Sequence, residues 1–583
     1  MAAFRLDLIG RYLRPHRHIV LLGALTLLIV NILSVTIPLQ VKGVIDDLQD
    51  GFTVQDVLRQ AGWIVLLASS MGVVRLISRQ LVFGVGRQVE VELRQRLFDH
   101  MLVQEPGWVQ ETGSGEIISR ATSDVENVRR LLGFAILSLT NTGMAYAFTL
   151  PAMLNIDVGL TLAAIALYPV MLGTVRLFGG RMMRQQRRQQ EQLAGLSDLI
   201  QEDLSGIAAI KIYGQEAQEQ QAFDESNRNY RDAAIRLART RSTLFPLLEG
   251  ISSVSLLLLL ALGSGQLEAG ILSVGSLVAL ILYVERLVFP TALLGFTLNT
   301  FQTGQVSLER VEELLQRQPR ISAPQHPVSL PQPLQGRIEA RGLTVRYDGS
   351  EHDTLSALSF TIEPGELVAV VGPVGCGKTT LARALGRMVE VQPGQLLLDG
   401  CDLTHVGLKD LRQQVALVPQ EGYLFTSSLA DNLRYGEPDA SDARVEAAAD
   451  QARLLDDVRG FPDGFETLVG ERGITLSGGQ RQRTALGRAL LMTAPILVLD
   501  DALASVDNNT AAAILTSIRN QRQRTIVMIS HQLSAAAACD RILVIDQGTL
   551  VQQGHHRDLV ATDGLYKRLW EREQASERLE AVA

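Results

Sequence analysis

A glycine-rich turn between an apolar strand and the start of a helix is the strongest chemical signal in the sequence. The stretch VAVVGPVGCGKTT (368–380) fits the pattern G-x-x-x-x-G-K-[ST]. Backbone N–H groups of such a turn close around phosphate oxygens, and the N-terminus of the following helix favours anions. The lysine of the pattern reaches the terminal phosphates, and the hydroxyl after it binds Mg²⁺. The stretch therefore predicts a nucleotide-phosphate site made of Gly372, Gly375, Gly377, Lys378, Thr379 and Thr380.

A second apolar strand ends in two consecutive acids. The stretch ILVLD (496–500) places Asp500 directly behind a buried run, which is where a Mg²⁺-coordinating carboxylate belongs. An apolar strand followed by an aspartate is common, so this signal has weight only beside the phosphate-binding turn. Asp501, a second acid, follows at once.

A serine and two glycines lie between these two motifs, at the start of a predicted helix, in TLSGGQRQR (475–483). Elementary chemistry offers two interpretations of this stretch. The helix N-terminus could bind a second anion, or it could be an ordinary capped helix start. The residues alone do not choose between them.

Hydropathy divides the 583-residue chain near residue 320. Before this point lie six apolar runs, each close to the roughly 20 residues that cross about 30 Å of hydrocarbon. Buried helices of a large soluble protein are the alternative, but no comparable cluster of runs follows residue 340. We expect an all-α, six-helix transmembrane domain with spans near 18–39, 60–85, 131–153, 156–178, 243–265 and 270–297.

The loops between the apolar runs are very unequal. Those after the second and fourth runs are long, polar and rich in arginine, as in MMRQQRR (182–188). The positive-inside tendency makes these loops and both termini cytoplasmic. Their helical periodicity predicts membrane helices that continue into the cytoplasm and turn near 112–117 and 205–214.

The second half of the chain has the pattern of an α/β domain. Residues 316–336 hold five prolines and little apolar periodicity, which is typical of a linker. After it, apolar runs alternate with helical stretches, the pattern of a parallel sheet covered by helices. The predicted division is a membrane domain over 1–315, the linker over 316–336, an α/β P-loop domain over 337–575 and a tail over 576–583.

Together, the serine–glycine stretch and the two nucleotide motifs resemble a known family. LSGGQ (476–480) is similar to the signature of ATP-binding cassette (ABC) proteins, and it lies between the two nucleotide motifs as in that family. Six spans fused ahead of one ATPase cassette resemble a half-transporter of the ABC exporter class, and the resemblance covers essentially the whole chain. It implies ATP as the nucleotide, Mg²⁺ as its ion, and export of a cargo driven by ATP hydrolysis.

The resemblance also implies roles for residues that match the family's motifs. Tyr347 is similar to the aromatic residue that stacks on adenine, with an ordinary strand tyrosine as the alternative. Gln420 is similar to the glutamine that touches Mg²⁺ and the attacking water, and His531 to the histidine that contacts the γ-phosphate. In this family two cassettes close over two ATP molecules. The residues expected to bind the ATP of the opposite cassette are Ser477, Gly478, Gly479 and Gln480, with Asp507 in the loop between the cassettes.

The catalytic position departs from the family pattern. Where the family usually carries a glutamate that polarises the attacking water, this chain has Asp501, which is one methylene shorter. Misplacing a catalytic group by ~1 Å costs ~10²-fold in rate. We favour an asymmetric heterodimer, in which this chain holds a slow site and lends its LSGGQ to a faster site of a second half-transporter. A homodimer in which the aspartate suffices is the alternative.

The cargo is less determined by the sequence. Four charged residues within or near the spans fit either structural pairing or a pathway for amphipathic small molecules, lipids or peptides. They are Arg75, Glu249, Glu285 and Arg286. A homodimeric lipid floppase and an ATP-gated regulator or channel with slow turnover are alternative functions. The net charge of −8 gives no sign of nucleic-acid binding. We expect a protein of a bacterial inner or plasma membrane with a cytoplasmic ATPase domain.

Overall fold

The computed structural model describes residues 6–48, 53–347, 349–506, 508–519 and 524–580. The chain forms two compact units. The first contains the residues up to Leu102 together with Gly113–Arg317, and the second contains Val103–Thr112 together with the residues from Gln318 onward. The short segment Val103–Thr112 therefore groups with the second unit, although in sequence it lies between two membrane helices.

Within the described residues, six helices of the first unit are long and apolar enough to cross a membrane. Each overlaps one predicted apolar run, so the prediction of a six-helix transmembrane domain is confirmed. Their lengths of 31 to 53 residues exceed the roughly 20 that a bilayer requires, and the polar loops after the second and fourth runs are largely helical extensions. The six helices are Arg17–Asp47, Val54–Val103, Ser114–Ile156, Val158–Ser205, Glu216–Glu268 and Val274–Gln316.

Two of the six helices are not uniform. The third contains short π-helical turns at Arg120–Asp124 and Leu131–Ala135, and the fourth is interrupted after Ile165. The α-helical segments of these two helices are Ser114–Ser119, Val125–Arg130, Ile136–Ile156, Val158–Ile165 and Tyr168–Ser205. Three short helices accompany the spans: Leu6–Leu13, Pro106–Thr112 and Ile207–Tyr213.

The first cytoplasmic turn begins earlier than the predicted 112–117. The helix before it ends at Val103, because Pro106 disfavours helical geometry in the residue that precedes it. Pro106 then starts its own short helix, because the first residue of a helix needs no N–H for hydrogen bonding within the helix. Trp108 in this helix is only 3% exposed. The first turn is therefore a packed element.

The second cytoplasmic turn falls within the predicted 205–214. It consists of the short helix Ile207–Tyr213, which ends at Gly214 in the left-handed conformation (φ +63°). None of the seven residues in this helix is buried. Ile212 and Tyr213 are 76% and 75% exposed. The second turn thus presents apolar side chains to its surroundings.

Three polar residues inside the first unit are hydrogen-bonded to one another. Arg286 donates to Asn31 Oδ1 at 3.0 Å, and the 1%-exposed Asn31 donates to Asn141 Oδ1 at 3.2 Å. Such pairing is expected wherever polar groups lie away from water. These bonds give Arg286 a structural partner. The other charged residues suggested for a cargo pathway are exposed on this unit: Arg75, Glu249 and Glu285.

The second unit contains two β-sheets. The strands are β1 (Ile338–Val345), β2 (Leu355–Ile362), β3 (Leu367–Val371), β4 (Leu396–Leu398), β5 (Cys401–Asp402), β6 (Val415–Val418), β7 (Ile496–Asp500), β8 (Thr525–Ile529), β9 (Arg541–Asp546) and β10 (Thr549–Gly554). One sheet has the order β2-β1-β4-β5 and is antiparallel. The other has the order β10-β9-β3-β8-β7-β6 and is parallel except for β10. This architecture confirms the predicted α/β domain.

Helices surround the parallel sheet, and three of its strands are buried at every residue: β3, β7 and β8. A parallel sheet covered on both faces requires such apolar strands. Because β3, β8 and β7 are adjacent and parallel, their carboxyl ends meet at one edge. The α-helices of this unit after β3 are Lys378–Leu385, Leu408–Gln414, Leu429–Arg434, Asp442–Gln451, Leu455–Gly460, Gly478–Leu491, Asn508–Arg519, Leu533–Ala536, His556–Ala561 and Leu565–Glu580.

The predicted linker 316–336 packs largely on the second unit. Val328 forms a parallel bridge with Val406, and Leu330 and Leu334 contact an apolar core of that unit. At the other end of the chain, the helix Leu565–Glu580 runs through the predicted boundary between the α/β domain and the tail. The described part of the tail therefore continues a helix.

Candidate functional site

The phosphate loop, residues 372–379, follows β3 and leads into the helix Lys378–Leu385. Gly372, Gly375 and Gly377 have φ values of +156°, +81° and +101°, which residues with a side chain rarely adopt. A Cβ at Gly372 or Gly377 would also collide with a backbone oxygen of another segment, whereas the space beside Gly375 is open. The loop is thus packed against the protein at Gly372 and Gly377. At Gly375 its backbone is open to a ligand.

The ammonium group of Lys378 lies inside this loop. Its Nζ donates to Gly372 O at 2.8 Å and to Pro373 O at 2.9 Å, and the residue is only 4% exposed. The first turn of the following helix adds backbone N–H groups that have no partner within the helix. A buried cation beside free amides is the donor set that fits the phosphates of ATP.

Thr379 and Asp500 are brought together from two elements. The Thr379 hydroxyl donates to Asp500 Oδ1 at 3.1 Å. Burial raises the pKa of the Asp500 carboxyl, the bond from Thr379 opposes this rise, and the neighbouring Asp501 adds to it. A hydroxyl and a carboxylate are oxygen donors of the kind that Mg²⁺ prefers, and Mg²⁺ needs few protein ligands because it keeps waters and phosphate oxygens. The residues fit the ion.

Asp501 and Gln420 form the next pair. Gln420 Nε2 donates to Asp501 Oδ2 at 3.4 Å. The backbone of Asp501 is left-handed (φ +52°), its N–H donates to Ile529 O at 3.0 Å, and the residue is 8% exposed. The short side chain of Asp501 is thus anchored close to the sheet edge. Its length limits which groups its carboxylate can contact.

His531 and Tyr347 complete the group around the sheet edge. His531 is exposed and follows β8 by two residues. The Tyr347 hydroxyl lies 3.3 Å from Thr380 Oγ1, on the helix that the phosphate loop starts. Tyr347 also packs against an apolar core of the unit. Its ring is therefore held beside the loop without being fully buried.

The signature stretch begins the helix Gly478–Leu491 with a capping box. Ser477 Oγ accepts from Gln480 N at 3.2 Å, and Gln480 Oε1 accepts from Ser477 N at 2.9 Å. Ser477 and Gly478 are exposed, and Gly479 is half-buried. A capped helix start and an outward-facing anion site are therefore compatible here. Asp507 lies outside the described residues.

Two acids outside the motifs hold predicted residues in place. Asp457 accepts from Gln480 Nε2 at 2.9 Å and pairs with Arg483 at 2.8 Å, which fixes the signature helix. Glu573 accepts backbone N–H groups two residues after His531. Neither acid lies in a motif, and both are separated from their partners by tens of residues in sequence. No local pattern could have found them.

Comparison with known proteins shows the family of the chain. The family model described as "ABC transporter transmembrane region" matches residues 20–291, and the one described as "ABC transporter" matches residues 355–504. The chain is 32% identical over 552 residues to the Bacillus subtilis protein named "Probable multidrug resistance ABC transporter ATP-binding/permease protein YheI", covering 94% of each chain. It is 34% identical over 510 residues to the "ATP-dependent lipid A-core flippase" of Aromatoleum aromaticum, covering 87% of this chain and 84% of that one.

A solved structure has the same overall fold. The structure titled "Structure of a bacterial Atm1-family ABC exporter with ATP bound" superposes with a TM-score of 0.76 at 28% identity, covering 96% of this chain and 98% of that one. Its title places it in the class of proteins that the membrane helices and the phosphate loop define.

The fold and the site define an ATP-driven membrane transporter. The chain belongs to the ABC transporter family, as a half-transporter of the exporter type with one membrane domain and one ATPase domain. It is an integral inner-membrane protein with a cytoplasmic ATPase domain. Proteins of this class act as dimers, and the ATPase domain implies ATP binding and ATP hydrolysis coupled to transport.

Proposed function

We propose that this chain couples ATP hydrolysis to the export of amphipathic small molecules, lipids or peptides. The observation that carries the proposal is one chain holding both six spanning helices and a phosphate loop beside clustered Lys378, Thr379 and Asp500. The names of the relatives, a multidrug resistance transporter and a lipid A-core flippase, support this range of cargo. Hydrolysis would switch the membrane helices between inward- and outward-facing arrangements.

The proposed nucleotide roles rest on the family resemblance and are supported by contacts around the sheet edge. Lys378 and the loop glycines bind the phosphates, Thr380 supports the loop helix, and Tyr347 stacks on adenine. Bound Mg²⁺ would neutralise phosphate charge, and Thr379, Gln420 and Asp500 are the residues that would hold it. His531 contacts the γ-phosphate. Asp501 orients the attacking water, with Gln420 steadying its carboxylate.

A second half-transporter completes each nucleotide site in this proposal. The exposed Ser477 and Gly478 support it, because their helix N-terminus is open to a ligand from another chain. Gly479 and Gln480 would bind the same γ-phosphate. The second cytoplasmic turn also supports it, since Ile212 and Tyr213 are apolar and exposed. A cassette of the second chain would cover them and receive the motion of the helices.

The second chain is proposed to differ from this one. Asp501 is anchored by its backbone bond to Ile529 and meets Gln420 at 3.4 Å, the outer limit of a hydrogen bond. A site whose carboxylate is one methylene short of the usual glutamate would hydrolyse ATP slowly. The ATP that stays bound there would hold the cassettes together. The faster site would use the glutamate of the partner and the LSGGQ of this chain. A homodimer is the competing arrangement, and co-purification from the native membrane distinguishes the two.

Transport itself is tested in sealed vesicles. The purified chain, with any partner that co-purifies, is reconstituted with ATP, and uptake of a fluorescent amphipathic cation and flipping of a fluorescent phospholipid are measured in parallel. Lys378→Ala is the inactive variant, and Lys409→Ala, an exposed lysine of the same unit, is the matched control. ATP-driven accumulation that Lys378→Ala abolishes supports export. Lipid flipping without amphiphile uptake favours the floppase. ATP-dependent leakage without accumulation indicates a regulator or channel and contradicts the proposal.

A further inference from the structure

A carboxylate from the end of the chain caps the short helix that follows His531. The helix Leu533–Ala536 begins after Gln532, whose side chain makes no capping bond. Glu573 takes that place from 40 residues away. Its Oε1 and Oε2 both accept from Leu533 N at 2.9 Å, and Oε1 also accepts from Ser534 N at 3.2 Å.

The cap satisfies a group that has little access to water. Leu533 is only 4% exposed, so its backbone N–H needs a protein partner. An unpaired buried N–H is costly, and a carboxylate is the strongest acceptor available at a helix N-terminus. Without Glu573, the backbone after His531 would have to move until water or another acceptor reached these N–H groups.

His531 lies between two fixed points of the backbone. On its N-terminal side, Ser530 N donates to Val370 O, and Ser530 Oγ accepts from Gln532 N at 3.0 Å. On its C-terminal side, the next fixed point is the pair of N–H groups bound by Glu573. The exposed His531 side chain is therefore carried by a turn that Ser530 closes through Gln532 N and that Glu573 fixes at its C-terminal end.

The helix that carries Glu573 is itself rigidly held. Tyr566 is fully buried, its hydroxyl lies 2.8 Å from His556 Nδ1, and its N–H donates to Gln552 Oε1 at 2.9 Å. Trp570 lies against the same His556 ring, with centroids 4.6 Å apart. Positions 566, 570 and 573 share one helix face, because residues four and seven apart line up along a helix. Tyr566 and Trp570 thus orient the helix so that Glu573 faces the N–H groups of Leu533 and Ser534.

We propose that Glu573 is a positioning residue for His531, so that the C-terminal helix Leu565–Glu580 controls the rate of ATP hydrolysis. The inference rests on the proposed role of His531 in hydrolysis. Glu573 does not touch the nucleotide. It fixes the backbone from which His531 reaches the γ-phosphate, and its loss should slow the chemical step more than it weakens ATP binding.

The first experiment compares Glu573→Ala and Glu573→Gln with Glu571→Ala, an exposed acid on the same helix. All are made in the full chain carrying Asp501→Glu, in lipid bilayers without a partner, so that the measured turnover is that of the site containing His531. Hydrogen exchange of the peptide covering 530–537 should be faster in Glu573→Ala and unchanged in Glu571→Ala. The kcat for ATP should fall about tenfold in Glu573→Ala, with KM within about twofold, and Glu573→Gln should lie between because one acceptor oxygen remains.

The second experiment repeats Glu573→Ala in a His531→Ala background. If Glu573 acts through His531, the double variant should be no slower than His531→Ala alone. An equal further loss of kcat in that background would overturn the proposal, as would unchanged exchange of 530–537 or an unchanged kcat in Glu573→Ala. A fully active His531→Ala variant would instead contradict the proposed role of His531. Faster hydrogen exchange of 530–537 in Glu573→Ala would in that case still show that Glu573 caps the helix. The two failures are therefore distinguishable.

Discussion

The phosphate loop and the signature stretch are both glycine-containing helix starts, yet their surroundings differ. Lys378 is buried in the loop and Thr379 is bonded to Asp500, so this element is assembled by its own chain. Ser477 and Gly478 are exposed, and Ser477 bonds back to its own helix. The phosphate loop is thus preorganised by bonds within its own chain, whereas the signature stretch lies exposed at the surface. A nucleotide site built from both needs two chains.

Removing the buried cation should have the largest effect. Lys378→Ala leaves the loop without the charge that the phosphates need, so in a chain carrying Asp501→Glu its ATPase activity should fall by at least about 100-fold and nucleotide binding should weaken with it. Steady-state ATPase and binding of a fluorescent ATP analogue measure the two effects. Lys409→Ala, on the surface of the same unit, should change neither. Wild-type ATP affinity in Lys378→Ala would show that the loop does not hold the phosphates.

A negative charge at the signature should separate hydrolysis from binding. Ser477→Asp keeps a good N-cap but places a carboxylate where the opposite γ-phosphate would lie. ATPase activity should fall about 10- to 100-fold, while Tm should change by less than about 2 °C. ATP binding by the phosphate loop should survive.

The matched control is Ser441→Asp, the same substitution at the exposed N-cap of the helix Asp442–Gln451. It should leave ATPase activity unchanged. A Ser477→Asp variant with full activity would mean that the signature stretch is only a capped helix start, and the comparison between the two elements would lose its functional meaning.

Substitution of Tyr347 should produce the smallest effect, and it should change only ATP binding at the phosphate loop. Tyr347→Ala removes the ring proposed to stack on adenine and should raise KM for ATP about tenfold, since base–aromatic stacking contributes about 1–3 kcal/mol. Tyr347→Phe keeps the ring and loses only the 3.3 Å contact to Thr380, so KM should change less than about twofold. Equal KM values for the two variants would identify an ordinary core tyrosine.

Sequence reasoning succeeded where the signal is local. Long apolar runs predict the six spanning helices because hydrocarbon demands about 20 apolar residues in a row. The phosphate loop is predicted because its glycines are needed for backbone geometry at fixed positions, as the φ values of Gly375 and Gly377 show. The predicted turn at 112–117 contains the helix break at Gly113 but not the earlier start of the turn, for which Pro106 was a local signal.

The remaining features depend on contacts between distant parts of the chain. The bond between Glu573 and Leu533 joins residues 40 apart, and that between Gln420 and Asp501 joins residues 81 apart. Such contacts form only when the sheet and its helices are assembled. No spacing in the sequence predicts which residue each partner contacts. Motifs therefore identify the groups that bind a nucleotide, whereas the groups that orient them become visible only in the fold.

The proposed slow site of this chain depends on Asp501 being one methylene shorter than the usual glutamate. The most direct measurement is steady-state ATPase activity of the purified chain alone in lipid, beside Asp501→Glu, with Lys378→Ala as the blank. We expect Asp501→Glu to hydrolyse ATP at least about tenfold faster than the native chain, whose activity should stay close to the blank. A native chain as active as Asp501→Glu, well above the blank, would contradict it and make a homodimer with a competent aspartate the better description.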